Sequence, residues 1–131
     1  MITLVIGLRG TGKTTWCREH LGEYGLCYDL DAIASAFRLK QPHEEYHQQA
    51  RWMANDILYG FITQAWQYTE NILVIRTAPS IQEFREINPD VVVYCKHQYI
   101  KRGMDDETAA KQRIRQIISY CGRAGVTVIT N

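Results

Sequence analysis

No C-x-x-C pair occurs among the four cysteines of this 131-residue chain, Cys17, Cys27, Cys95 and Cys121. That leaves no zinc-ribbon or dithiol signature and predicts reduced, mostly buried thiols in a cytoplasmic protein. No apolar run approaches the roughly 18 residues that span a bilayer, so no membrane partner is expected. Charge of neither sign dominates: 15 Lys and Arg against 14 Asp and Glu give a net +1. A balance this even argues against a generally nucleic-acid-like or membrane-surface protein. The chain opens directly on an apolar run, which predicts no signal peptide. Internal repeats, low-complexity segments and linkers are also lacking. Residues 1–131 therefore read as one domain, long enough for a single core.

The most informative stretch is Gly7-Leu-Arg-Gly-Thr-Gly-Lys-Thr-Thr15. Gly7 to Thr14 matches G-x-x-x-x-G-K-T, the phosphate-binding loop pattern. A β-branched run, Met1 to Ile6, precedes it as a buried strand would, and residues 16–23 after it can be helical. Gly7, Gly10 and Gly12 let the backbone wrap closely and turn its amides inward as an anion nest. A helix starting at about Lys13 adds its free amides and positive dipole end. Lys13 is placed to reach the β- and γ-phosphates of ATP, and the Thr14 hydroxyl to sit on Mg²⁺. Thr15 caps phosphate from the first turn. Gly7, Arg9, Gly10, Thr11, Gly12, Lys13, Thr14 and Thr15 are thus the candidate nucleotide-binding residues.

Farther along, Leu26-Cys27-Tyr28 reads as a short strand ending in Asp29-Leu30-Asp31, with Asp31 as N-cap of a helix over 32–39. An apolar 3.6 periodicity predicts a long helix from about His43 to Tyr68. Its inward face would carry Tyr46, Ala50, Met53, Ala54, Ile57, Leu58, Phe61, Ile62 and Ala65, and Gly60 weakens its middle. Ile72 to Ile75 is a buried strand, followed by Arg76. Ser80 with Glu83 forms a capping box that opens a further helix. Val91 to Cys95 is a strand, Asp105 to about Cys121 a helix, and Val126 to Thr130 the last strand. Five short strands alternating with helices predict an α/β fold, a parallel sheet with helices on both faces. In such a sheet ligands bind at the carboxyl ends of the strands. The loop, Asp29, Asp31, Arg76 and Lys96 all follow strand ends.

Other signals compete. His43-Glu44-Glu45-Tyr46-His47 matches H-E-x-x-H, a zinc-hydrolase signature with Glu44 as base. It sits at the very start of its helix after Pro42, and only Glu70 offers a third ligand by spacing. A solvated helix end is the better reading. Cys17 and His20, three apart, admit a shared metal but suit an ordinary helix face better. Residues 96–123 carry Lys96, Lys101, Arg102, Lys111, Arg113, Arg115 and Arg123 against three acids, which suits a polynucleotide backbone or a solvated helix face.

The loop together with the D-x-D pair, Asp29 and Asp31, resembles the small P-loop kinases: the nucleoside monophosphate kinase-like group with shikimate, gluconate and polynucleotide kinases and zeta-type toxins. Arg76-Thr77-Ala78-Pro79 and Lys101-Arg102-Gly103 look like the short P-loop proteins of phage genomes. The resemblance implies a three-layer P-loop NTPase fold with sheet order 2-3-1-4-5, ATP and Mg²⁺ as ligands, and a phage-encoded protein acting in host cytoplasm. It implies Asp29 as the base or metal-shell acid, with Thr14 and Asp29 holding Mg²⁺, and Asp31 as the acceptor contact. Lys101 and Arg102 stand in the place of lid cations that reach the transferring phosphate, with a solvated basic turn as the plainer alternative. Arg76 is a candidate for an acceptor phosphate or for a structural salt bridge. The acceptor would be a small molecule, a nucleotide or a nucleic acid. Two departures favour an ATPase or ATP-gated binding module instead. Arg76 replaces the acid that ordinarily ends the third strand, and the lid segment, 96–103, is short.

Overall fold

The computed structural model describes residues 1–41, 47–96 and 108–131. In chain order these form β1 (Ile2–Ile6), α1 (Lys13–His20), β2 (Leu26–Asp29), α2 (Leu30–Ala36), α3 (Gln48–Ala65), β3 (Ile72–Arg76), α4 (Ile81–Ile87), β4 (Val91–Tyr94), α5 (Thr108–Ala124) and β5 (Thr127–Thr130). All neighbouring strands pair in parallel, in the order β2-β3-β1-β4-β5. This is the α/β architecture and strand order expected from the sequence.

The central strands explain their own composition. Every residue of β1 and β3 is buried. A strand covered on both faces needs apolar side chains at odd and even positions alike, so neither shows polar alternation. Successive side chains still point to opposite faces. Ile2, Leu4 and Ile6 join Tyr28, Ile72, Val74 and Val92 in the larger core, beneath residues of α2, α3, α4 and α5. Val5, Leu73, Ile75 and Val93 enter a smaller core against Cys17 of α1. The handedness of the crossovers dictates this division. The chain passes β3 to reach β2, then makes every later crossing in the reverse direction, so right-handed connections set α1 on one face and the other helices opposite.

Some element ends differ from the sequence pattern. The long helix is unbroken at Gly60 and covers Gln48–Ala65. Ala50, Ala54, Leu58 and Ala65 are buried, whereas Met53 and Ile57 are 53% and 41% exposed. The small side chains at 50 and 54 bring this helix close enough for the Tyr28 hydroxyl to donate to the Ala54 carbonyl at 2.6 Å. Met53 and Ile57 sit on the flank that this approach leaves in solvent. Tyr46 lies outside the described residues, as does Asp105. The capping box of α4 forms as its spacing predicts, with the Ser80 hydroxyl accepting from the Glu83 amide and the Glu83 carboxylate from the Ser80 amide. Cys17, Cys95 and Cys121 are buried, Cys27 is exposed, and all four are free thiols. A hydrogen bond with Cys27, together with burial, pushes the Cys17 thiol up. No helix among the described residues is long and apolar enough to cross a membrane.

Candidate functional site

The segment between β1 and α1 is shaped by two glycines in different ways. Gly7 sits under crowding: a Cβ there would lie 2.6 Å from both the Cys95 carbonyl oxygen and Thr11 Oγ1. Its amide donates to the Thr77 carbonyl at 3.1 Å, tying the loop to the chain beyond β3. Gly12 is the N-cap of α1 at φ 88°, and it has no side chain to bond the helix amides. The first turn of α1 therefore gets no side-chain cap, and its amides are left to other partners.

Side chains fix the rest of the loop. Thr11 is 3% exposed and its hydroxyl donates to the Leu8 carbonyl at 2.7 Å. Its side chain therefore pins the loop and does not reach outward. Lys13 Nζ donates to the carbonyls of Gly7 and Leu8, each at 2.8 Å. An ammonium carries three donors, so these bonds use two of them. Burial holds the Lys13 ammonium below its usual range, against the opposing pull of Asp31 and Asp29. An anion brought to this ammonium would offset the cost of its desolvation.

Around the loop lies a cavity of about 450 Å³. Arg9, Gly10, Thr11, Gly12, Lys13, Thr14, Thr15, Asp29 and Asp31 all line it, joined by Ile75 and Thr77. The volume falls in the range of small-ligand sites. Gly7 does not line it.

The acids divide their work differently from the sequence expectation. Asp29, not Asp31, caps α2, accepting from the Ala32 amide at 3.4 Å. The reason is that β2 runs through Asp29 and the helix begins at once with Leu30. Asp31 falls in the first turn, where its charge suits the helix dipole. It pairs with Arg51 of α3 at 3.6 Å, a half-exposed ion pair that adds little stability.

Arg76 requires a correction. It is 4% exposed and does not line the cavity. Its Nη1 donates to Asn55 Oδ1 at 3.1 Å, and its Nη2 pairs with the Glu83 carboxylate. Alternation along β3 explains the placement, since Ile72 and Val74 face the larger core and Arg76 continues that side under α3 and α4. A buried guanidinium demands a paired charge. Burial by itself would raise the Glu83 carboxyl; the Ser80 amide and Arg76 outweigh it and hold the group below its usual range. Arg76 thus stands in a structural salt bridge, the second of its two sequence readings, and outside the cavity.

Lys101 and Arg102 lie outside the described residues, as do His43 and Glu44. His47 is exposed at the start of α3 and makes no side-chain cap bond. His20 stacks on Trp16 at 3.9 Å, with Nδ1 2.8 Å from the Trp16 carbonyl, so its ring is engaged away from the buried Cys17. Among the described residues no group of three or more His, Cys, Asp or Glu side chains could hold a metal ion. Sequence reasoning overlooked Ile75 and Thr77. Thr77 was within reach, because it follows the strand that sits beside β1 in the expected order. Asn55 and Glu83 as partners of Arg76 carried no local signal, since they converge on it from two different helices.

No protein-family model matches this chain, and no curated protein matches it by sequence. Among solved structures, the chain is similar to an unliganded sugar kinase from Janibacter sp. HTCC2649. Identity is 16%, the match covers 99% of this chain and 83% of the kinase, and the TM-score is 0.50. At that identity the likeness concerns the fold.

Proposed function

We propose that the protein binds ATP with Mg²⁺ in the cavity above the 7–15 loop and transfers its γ-phosphoryl group to an acceptor hydroxyl or phosphate. One observation carries the reading: a glycine-shaped loop and the partly buried Lys13 ammonium share a cavity with two carboxylates. The loop amides and Lys13 would take the phosphates, while Arg9 and Thr15 flank them at the rim. Asp29 would orient the attacking hydroxyl and accept its proton, and Asp31 would contact the acceptor. Thr14 and Asp29 are hard oxygen donors that line the same cavity and suit Mg²⁺. When bound, the ion would neutralise charge on the β- and γ-phosphates. Arg102 and Lys101 keep their roles at the transferring phosphate on sequence grounds alone.

A sugar kinase shares this fold, so sugars belong beside nucleosides, nucleotides and 5′-hydroxyl oligonucleotides in an acceptor panel. Incubation with γ-labelled ATP should label at least one of them, and Lys13→Ala should reduce the rate at least a hundredfold. No labelled acceptor would count against transfer. A second reading is favoured by Arg76, because β3 ends on a buried cation and supplies no carboxylate to the cavity. On that reading the protein is an ATPase or ATP-gated binding module. Steady phosphate release without an acceptor would support it.

A further inference from the structure

The helices α4 and α5 enclose a second depression, of about 430 Å³, that shares no lining residue with the nucleotide cavity. Its charged lining residues are Arg85, Arg115 and Arg123, with Gln112, Gln116 and Tyr120 between them. Among the described residues no carboxylate lines it. The one-sidedness has a structural origin. The acids of α4 are drawn to its other flank, Glu83 by Arg76 and Glu86 by the hydroxyl of Tyr59. From Thr108 to Ala124, α5 carries four cations and no acid at all. Among the described residues none of the three groove arginines is in a salt bridge.

We infer that this groove is a docking surface for single-stranded nucleic acid. The spacing suits a chain of phosphates, because Arg115 and Arg123 lie eight residues apart, about 12 Å along the helix, and Arg85 stands on the facing helix. Arg85 lies over the Tyr120 ring, 5.2 Å from its centroid, and Phe84 meets that ring edge-on. Guanidinium and aromatic planes of this kind stack bases, which an acidic peptide or a lipid headgroup does not exploit. A lipid surface is disfavoured further, since none of the large exposed apolar side chains of the described residues belongs to α4 or α5.

The test is fluorescence anisotropy of a labelled 20-nucleotide single-stranded DNA and its RNA equivalent, in 50 and 200 mM salt without ATP. Three phosphate contacts predict a log–log salt slope of about −2. Arg115→Glu and Arg123→Glu should each weaken binding at least tenfold. Lys111→Glu makes the same charge change outside the groove and should cost less than threefold. Binding of a fluorescent ATP analogue should be unaffected by all three changes, and ATP should not displace the oligonucleotide. Absence of binding at 50 mM salt, equal losses for Lys111→Glu and Arg115→Glu, or displacement by ATP would each overturn the assignment. Vesicles of anionic lipid and a poly-glutamate peptide are the comparison probes, and equal affinity for either would also overturn it. The readout needs no phosphoryl transfer, so its failure is separate from failure of the proposed activity.

Discussion

At the scale of single residues, Asp29 holds two positions at once. It caps α2 and faces the cavity that contains Lys13. The two roles separate by substitution, because asparagine caps a helix about as well as aspartate but carries no charge. Asp29→Asn should therefore keep stability within about 0.5 kcal/mol by urea unfolding. Phosphoryl transfer should fall at least tenfold, as expected when a group that accepts the hydroxyl proton is lost. Equal turnover in the variant would remove Asp29 from the chemistry. The nearby residues show where sequence reasoning stops. The loop pattern is local, so its members could be read off in order, and all but Gly7 and Leu8 line the cavity. Arg76 could not be assigned from its neighbours, because its fate depends on which face of β3 it occupies and on carboxylate and amide groups from α3 and α4.

Elements carry the next set of consequences. Gly60 lies in the interior of α3, and a Cβ there would meet nothing within 4 Å. No packing reason offsets its low helix propensity, so Gly60→Ala should stabilise the fold by about 0.5–1 kcal/mol in denaturant unfolding. A loss of stability would mean that the helix bends or contacts something at that point. The junction between β3 and α4 behaves differently, because it rests on charge. The Glu83 carboxyl is held below its usual value, so its contribution is complete above the unfolded value near 4.5 and is lost as pH falls through the lower folded value. Glu83→Gln should lower stability at pH 7 and make it less dependent on pH between about 5 and 3 than in the wild type. Parallel curves for the two proteins would show that the Arg76 pair does not contribute in this way. Element type was legible because periodicity and capping are local properties, as Ser80 and Glu83 illustrate. Helix faces were less so: Met53 and Ile57 match the apolar period yet face solvent, since two alanines set how closely α3 approaches its neighbours.

For the whole molecule, the site arises by convergence of distant segments. A parallel sheet in the order β2-β3-β1-β4-β5 brings the ends of β1, β2 and β3 side by side, though they are about 70 residues apart in the chain. The loop, the two acids and Thr77 meet there because three strands run the same way. The parallel sheet was legible from strand and helix alternation, and its order only from the loop resemblance. The groove between α4 and α5 was not, because it exists only once two helices distant in sequence lie together. A crystal of the protein soaked with a non-hydrolysable ATP analogue and Mg²⁺ tests the central assignment most directly. Density for the β- and γ-phosphates is expected against the amides of 10–14, with Lys13 Nζ in hydrogen-bond contact and Asp29 on the metal side. Saturating analogue with no density in that loop, or a nucleotide bound elsewhere, would contradict it.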